Sequence, residues 1–354
     1  MEWIDAPSEG LTLRDIRRIT KRDQAESEDI RKAVEAILAD IEQRGDAAVR
    51  EYTKRFDGVD LDSFLVSPEE IDDAVDIVGP DFMAILEEAA ANIRAYHERQ
   101  VEQTWIDTFR PGVRLGAKFT PIQRVGVYVP GGTAAYPSTV LMDTIPAHVA
   151  GVPSIAVFTP PAKDGSVNPY ILAAAHVAGA TEIYKVGGAQ GIAAAAYGTE
   201  SIPPVFKIVG PGNAYVAMAK RLVFGTVGID MIAGPSAVCV LADASADPVV
   251  VAADLMAQAE HDPMASCYLV TCDPALPDRV LDAVERLVSQ SPREKITRAS
   301  LDDRGVVVVA ATLADAVEAV NVVAPEHLEL HCEDAMSLLG SVRNAGAIFV
   351  GAWS

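Results

Sequence analysis

Two short motifs carry side chains that could bind a metal ion and transfer protons. The first, Gln258-Ala-Glu-His261, ends a predicted helix and places an amide oxygen and an imidazole on the same helical face as Asp254. Histidine is a common ligand of divalent transition metals, and a side-chain amide oxygen is a rarer one. Because a zinc site needs three protein ligands, a capping role for His261 at the helix end stays the alternative.

The second motif, Pro325-Glu326-His327, puts a carboxylate beside an imidazole, which suits acid–base catalysis. Proline favours an extended conformation at Ala324, and the alternation from His327 to His331 predicts a strand. Adjacent residues of a regular strand point to opposite faces, so Glu326 and His327 can serve one site only if the backbone is irregular there. An exposed edge strand with surface charges is the alternative.

The composition excludes several classes of function. The 354 residues are 50% hydrophobic and 22% charged, which is typical of a globular protein with two domains. The formal net charge of −21 would repel nucleic-acid phosphates, so we predict no nucleic-acid partner. Without a signal-peptide pattern or an apolar run of about 18 residues, the chain is predicted to be cytoplasmic and not bound to a membrane. The four cysteines form no Cys-x-x-Cys pair and are predicted to be free thiols.

Strands and helices alternate along most of the chain and must position these motifs. Four strand-and-helix units within residues 125–235 indicate a parallel sheet covered by helices, and a second such set runs from residue 237 to residue 350. We predict an α/β fold of two parallel-sheet domains, incomplete Rossmann-like, one inserted into the other, with a helical N-terminal block. The predicted parts are a polar, partly helical arm (1–22), a discontinuous α/β domain with the metal-ligand and acid–base residues (23–124 plus 237–354), and an inserted nucleotide-binding domain (125–236). One helix is predicted to begin at a capping box at Ser67, and the helix that carries Gln258 is predicted to begin at the N-cap Asp247.

Glycine-rich turns follow three predicted strands of the inserted domain. They are Pro130-Gly131-Gly132, Gly187-Gly188-Ala189-Gln190 and Gly210-Pro211-Gly212-Asn213. Glycine lets backbone N–H groups approach a phosphate, and the following helix N-terminus favours negative charge. Each turn alone could serve only sharp-turn geometry. Because ligands of open α/β sheets bind beyond the carboxyl ends of the strands, the three turns together favour a dinucleotide site.

Five motifs occur in a fixed order along the chain. They are Glu182-Ile-Tyr-Lys-Val-Gly-Gly-Ala-Gln190, Lys207-Ile-Val-Gly-Pro-Gly-Asn213, Gly228-Ile-Asp-Met-Ile-Ala-Gly-Pro-Ser236, Gln258-Ala-Glu-His261 and Ala324-Pro-Glu-His327. Their order and spacing closely resemble histidinol dehydrogenase, over essentially the whole chain. The resemblance implies the last steps of histidine biosynthesis, in which the amino alcohol L-histidinol is oxidised twice, through an aldehyde, to L-histidine. It also implies one Zn²⁺ per site, two NAD molecules and one water consumed, and a homodimer.

The resemblance assigns roles to the positions that match the family's motifs. Gln258 and His261 match two zinc ligands that also contact the substrate. His327 matches the histidine that contacts the substrate and takes protons from its alcohol, and Glu326 matches the glutamate that activates water in the second oxidation. Ser236 matches a substrate contact. These roles agree with the chemistry, because zinc polarises the alcohol oxygen and a neutral histidine can then act as the base.

Three further positions, Tyr128, Gln190 and Asn213, match NAD-contacting residues of the family. Two departures qualify the resemblance. Ala237 stands where the family usually has glutamate, which suggests a related zinc- and NAD-dependent dehydrogenase of another small polar alcohol. The family also continues past Ser354 with a tail domain that supplies an aspartate and a histidine ligand and reaches the partner subunit. We therefore expect this chain to bind zinc weakly and to turn over poorly, and an inert α/β fragment is the last alternative.

Overall fold

The protein, described here as a computed structural model, has two compact units. The central unit comprises Ala25–Gly234, and the terminal unit comprises Met1–Gln24 with Pro235–Ser354. The structure describes residues 1–6, 28–131, 136–231 and 236–353. The chain begins with strand β1 (Glu2–Ala6), which belongs to the terminal unit.

Three helices and a hairpin open the central unit. They are α1 (Glu28–Arg44), α2 (Asp46–Phe56) and α3 (Pro68–His97), followed by a 3-10 turn (Glu98–Gln100) and the antiparallel strands β2 (Trp105–Arg110) and β3 (Val113–Ala117). Helix α3 begins at a capping box, in which Ser67 and Glu70 each accept a hydrogen bond from the other's backbone N–H. At Gly79 a φ of 74° before Pro80 kinks this helix.

A five-stranded parallel sheet forms the centre of this unit. Its strands are β4 (Arg124–Tyr128), β5 (Ser154–Phe158), β6 (Glu182–Tyr184), β7 (Lys207–Val209) and β8 (Gly228–Ile229), in the order β6-β5-β4-β7-β8. The intervening helices are α4 (Pro137–Val149), α5 (Pro169–Ala178), α6 (Gly188–Tyr197) and α7 (Ala214–Val223). The strand order reverses between β4 and β7, which makes this point the expected ligand crevice.

The helical block belongs to the central unit, not to the terminal unit as the predicted boundary of 23–124 plus 237–354 has it. The reason is that its apolar faces complete both sides of the β4–β8 sheet. Val34 and Ile41 of α1 share a core with Ile192 of α6. On the other face Leu86 of α3 shares a core with Ile145 of α4. The sheet of this unit therefore needs α1–α3 to bury its two apolar faces.

The terminal unit is a second parallel sheet, of six strands. Besides β1 they are β9 (Ala237–Ala242), β10 (Ser266–Thr271), β11 (Gly305–Ala310), β12 (His327–His331) and β13 (Ala347–Val350), in the order β1-β11-β10-β9-β12-β13. Its helices are α8 (Pro248–Ala259), α9 (Leu276–Val288), α10 (Glu294–Arg304), α11 (Leu313–Val323) and α12 (Ala335–Leu338). The two parallel sheets confirm the predicted α/β fold class.

The start of the chain differs from the predicted polar, partly helical arm. Glu2–Ala6 is a strand that pairs in parallel with β11, and the remainder of the predicted arm lies outside the described residues. All four cysteines are free thiols, as predicted. Within the part of the chain that the structure describes, no helix is both long and apolar enough to cross a membrane.

Candidate functional site

A cavity of about 1270 Å³ in the central unit lies where its strands end. The three predicted NAD contacts, Tyr128, Gln190 and Asn213, all line it. Tyr128 ends β4, Gln190 lies in the first turn of α6, and Asn213 is the N-cap of α7. The structure therefore brings the three residues together at the carboxyl ends of the strands, at the point where the strand order reverses.

The Gly188 turn is built around a buried tyrosine. The hydroxyl of Tyr128, which is 4% exposed, accepts a hydrogen bond of 2.9 Å from the Gly188 N–H. Burial raises the pKa of Tyr128 to about 12, so the phenol keeps its proton and can still donate it in a hydrogen bond. Gly188 has a φ of 61°, and a Cβ at this position would lie 2.5 Å from Oε1 of Gln190. The backbone conformation therefore favours glycine here, and a Cβ would displace the end of the Gln190 side chain.

An aspartate that the sequence analysis missed also lines this cavity. Asp57, just after the end of α2, accepts a 3.4 Å hydrogen bond from Nε2 of Gln190. Burial raises the pKa of Asp57 to about 6. In dinucleotide sites such a carboxylate accepts hydrogen bonds from ribose hydroxyls. No local motif marks Asp57, because it reaches the cavity only through the packing of the helical block on the sheet.

Asn213 begins helix α7 and thereby fixes its own orientation. Its Oδ1 accepts hydrogen bonds from the N–H groups of Tyr215 (3.0 Å) and Val216 (3.1 Å). The carboxamide oxygen is thus used by the helix N-terminus, and the NH₂ group is left as a donor for a ligand in the cavity.

A buried lysine holds the third glycine-rich turn. Gly210 has a φ of 108°, and a Cβ there would overlap the carbonyl oxygen of Tyr128. Nζ of Lys220, which is 2% exposed, donates to the Gly210 carbonyl at 2.7 Å and forms an ion pair with Asp230. Asp230 in turn accepts a 2.8 Å hydrogen bond from the Gly210 N–H. Asp143 lies near this ion pair. Burial, together with the nearby charge of Asp230, raises the pKa of Asp143 to about 7.

In the terminal unit, helix α8 has the predicted start and carries the first chemical motif at its end. Asp247 caps the helix by accepting from the Val249 N–H at 2.8 Å. Gln258 lies in the last turn and is half-buried, whereas His261 follows the helix and is exposed. Neither side chain hydrogen-bonds another residue of the described ranges. Within these ranges the imidazole of His261 therefore makes no capping hydrogen bond to the end of helix α8.

The backbone around Pro325-Glu326-His327 is irregular, as it must be if Glu326 and His327 are to serve one site. Ala324 adopts a left-handed conformation (φ 48°, ψ 59°), so the predicted extended conformation is wrong. The reason is that Ala324 ends helix α11, and its N–H bonds to the Val320 carbonyl. Oε1 of Glu326 and Nε2 of His327 lie 3.9 Å apart.

Strand β12 lies between β9 and β13, so the alternative of an exposed edge strand is also wrong. The ring of His327, at the start of this strand, packs edge-on against Phe349 of β13, with 5.9 Å between the ring centroids. The imidazole therefore has a fixed neighbour on one side while about 40% of the side chain stays exposed.

The predicted catalytic, metal and substrate residues all lie towards the amino edge of the terminal sheet. His327 pairs with Val238 of β9, so Ser236, two residues earlier, lies at the same edge. Helix α8 connects two parallel strands and must run antiparallel to them, which returns Gln258 and His261 to this edge. These residues therefore lie at the opposite edge of their sheet from the carboxyl ends of its strands, where ligands of open α/β sheets usually bind.

Contacts one turn earlier on α8 set its register against β12. Oδ2 of Asp254 lies 3.3 Å from Nε2 of His331, and Oε2 of Glu329 lies 3.6 Å from the same nitrogen. From Asp254 to Gln258 the helix rises about 6 Å. From His331 back to Glu329 the strand spans about 6.6 Å in the same direction. The contact between Asp254 and His331 therefore places Gln258 at about the level of Glu329, one helical turn nearer the amino edge than Asp254.

Comparisons with known proteins agree with these observations. The sequence profile described as histidinol dehydrogenase matches residues 20–354. Histidinol dehydrogenase of Geobacillus kaustophilus (strain HTA426) is 54% identical over 328 residues, which are 93% of this chain and 77% of that protein. Histidinol dehydrogenase of Bacillus subtilis (strain 168) is 51% identical over 330 residues, which are again 93% of this chain and 77% of that protein.

A solved structure extends the likeness to the fold. The crystal structure of histidinol dehydrogenase from Elizabethkingia anophelis is 37% identical and has a TM-score of 0.94, and the match covers 100% of this chain and 81% of that one. The resemblance seen in the five motifs is thereby confirmed over nearly the whole chain. The chain belongs to the histidinol dehydrogenase family, oxidoreductases of histidine biosynthesis.

Proposed function

We propose that this chain is a zinc- and NAD-dependent dehydrogenase that oxidises L-histidinol to L-histidine through the aldehyde. Family membership supports the substrate, and the single structural observation that carries the proposal is the gathering of His327, Gln258 and His261 at one sheet edge. The proposed homodimer follows from the same membership and needs its own measurement.

The donors at the end of α8 fit part of a zinc site. Gln258 offers an amide oxygen and His261 an imidazole nitrogen, and neither is engaged by another described side chain. Both atoms are of the kinds that Zn²⁺ accepts, although nitrogen is the commoner. Zinc bound there would polarise the alcohol oxygen of the substrate and ease its deprotonation.

His327 is the proposed base for the alcohol proton. Its ring is partly exposed and held by Phe349, so it can receive a proton from a substrate oxygen without leaving its position. Glu326, 3.9 Å away, is the proposed base that activates water for the second oxidation. The side-by-side placement lets one site serve both half-reactions, and Ser236 at the same edge is the proposed substrate contact.

The central-unit cavity is the proposed NAD site. Tyr128, Gln190 and Asn213 would hold the cofactor through a phenol and two carboxamides, and Asp57 would accept from ribose hydroxyls. NAD, when bound, accepts the hydride in each oxidation. Because the net charge of the chain is −21, a dinucleotide must be held by local donors and helix N-termini rather than by the overall field.

Substrate choice is the direct test of the proposal. Purified chain is assayed for NADH formation with L-histidinol and with other small polar amino alcohols at equal concentration. We expect the highest kcat/KM with histidinol. A higher kcat/KM with another alcohol would instead favour the related dehydrogenase suggested by Ala237, and absence of NAD binding in a titration would favour the inert fragment.

Addition of a single methyl group at Gly188 tests the proposed NAD site. Gly188→Ala forces a side chain onto a φ of 61° and against Oε1 of Gln190, so Gln190 must move. We expect the Kd for NAD, measured by calorimetry, to rise about tenfold, the effect of losing about 1.4 kcal/mol of interaction. The matched control is Gly112→Ala, which has a φ of 80° but nothing within 4 Å of its Cβ. It carries the same backbone strain and should leave the Kd unchanged; equal effects of both variants would refute the proposed site.

A further inference from the structure

Three ligating side chains from α8 and β12 converge inside the terminal unit, one turn away from Gln258. One ligand atom each from Asp254, Glu329 and His331 lies within 4.8 Å of the others. His331 is 2% exposed, and neither of its ring nitrogens has a hydrogen-bond partner among the residues that the structure describes. Oε2 of Glu329 is likewise buried without one. Buried polar atoms without partners are rare and call for an explanation.

The spacing of His331 from each carboxylate is close to that of neighbouring ligands around one ion. Neighbouring ligands of a tetrahedral zinc ion, each about 2.0–2.1 Å from the metal, are about 3.3–3.4 Å from one another. Nε2 of His331 is 3.3 Å from Oδ2 of Asp254 and 3.6 Å from Oε2 of Glu329. The imidazole points between the two carboxylates without hydrogen-bonding either, which leaves its lone pair for a cation.

The charges of the cluster also require compensation. Within the described ranges, the ion pairs of both carboxylates are with His331 alone. A divalent cation would neutralise both carboxylates and leave the imidazole neutral, as a metal ligand must be.

We propose that Asp254, Glu329 and His331 form a second divalent-cation site, suited to Zn²⁺ and separate from Gln258 and His261. An imidazole nitrogen and carboxylate oxygens are ligand types that Zn²⁺ accepts, and a water would take the fourth position. The Asp254 and Glu329 side chains are 28% and 16% exposed, so an ion can enter from that side. The ion would join α8 to β12, one helical turn from Gln258 and at the opposite end of β12 from His327. This site goes beyond the proposed function and does not depend on it.

A zinc titration without substrate or NAD tests the site. Wild-type chain is stripped with a chelator and titrated with Zn²⁺ in competition with a chromogenic chelator, and so are His331→Gln, Glu329→Gln and His261→Ala. We expect an affinity in the wild type that falls at least about tenfold in the first two variants, because each loses a ligand. His261→Ala removes a proposed ligand of the other zinc site only, so one zinc ion per chain should still bind to Asp254, Glu329 and His331 with an affinity changed less than twofold. Zinc binding that is absent, or that disappears with His261→Ala and survives His331→Gln, overturns the proposal.

Cobalt gives a readout that does not depend on a variant folding well. Co²⁺ added to stripped wild-type chain should produce visible absorption of a tetrahedral site, and this absorption should persist in His261→Ala. Circular dichroism of the metal-free variants checks their folding, and Glu329→Gln keeps the side-chain volume. Absence of the absorption from wild-type chain refutes the proposal and leaves the triad as a cluster that shares protons. Loss of histidinol oxidation alone would count against the proposed function and not against this site.

Discussion

Replacement of His327 by asparagine is expected to lower kcat for histidinol-dependent NADH formation by about 10²–10⁴-fold, the usual contribution of a general base. Asparagine keeps a polar side chain of similar reach but cannot take a proton. His327 lies at the start of β12 with its ring against Phe349. We therefore expect the substitution to lower kcat rather than to prevent folding. Steady-state kinetics at saturating histidinol and NAD measure it.

The control for this variant is His176→Asn, an equal change on the exposed side of helix α5, outside the residues of either proposed site. It should keep kcat within about twofold, as surface substitutions away from special features do. If His327→Asn also retained kcat within twofold, the proton would have to leave to another group. The assignment of His327, and the pairing with Glu326 on which the two half-reactions rest, would then be wrong.

The sequence predicted the features that depend on local chemistry. The capping box at Ser67 and the start of α8 at Asp247 need only neighbouring residues, and both occur as expected. The glycine turns at Gly188 and Gly210 were equally visible, since positive φ and close approach leave glycine few alternatives. Periodicity likewise gave the strands that follow one another in the two sheets.

Features that depend on distant packing were missed or wrong. Ala324 is left-handed because a helix must end there, a demand that overrides the usual effect of the following proline. The interior position of β12 follows from its pairing with β9, about ninety residues earlier. Asp254 and His331 share faces with the predicted functional residues, yet only the packing of α8 on β12 shows that they meet. Their contact sets the register of the whole proposed site.

Lys220→Met is expected to be the most destabilising of these changes, by about 3 kcal/mol. Removing one partner of a buried ion pair typically costs about 3–5 kcal/mol, because the other charge stays buried without compensation. The lower end applies because Asp230 is 29% exposed, so water can partly solvate its carboxylate. Urea unfolding followed by circular dichroism measures the change. The control Lys118→Met, at an exposed position, should shift the unfolding free energy by less than about 0.5 kcal/mol.

The same substitution should weaken NAD binding, for a reason separate from stability. Lys220 and Asp230 hold the carbonyl and the N–H of Gly210, and this turn leads directly to Asn213 at the start of α7. Methionine fills the space of the lysine stem but cannot donate, so the Gly210 carbonyl loses its partner and the turn can rotate. A loss of stability with an unchanged Kd for NAD would show that the turn is held by the glycine backbone alone. A rise in the Kd for NAD under conditions where the variant is fully folded would show that the buried Lys220 holds the Gly210 turn in the conformation that NAD binding needs.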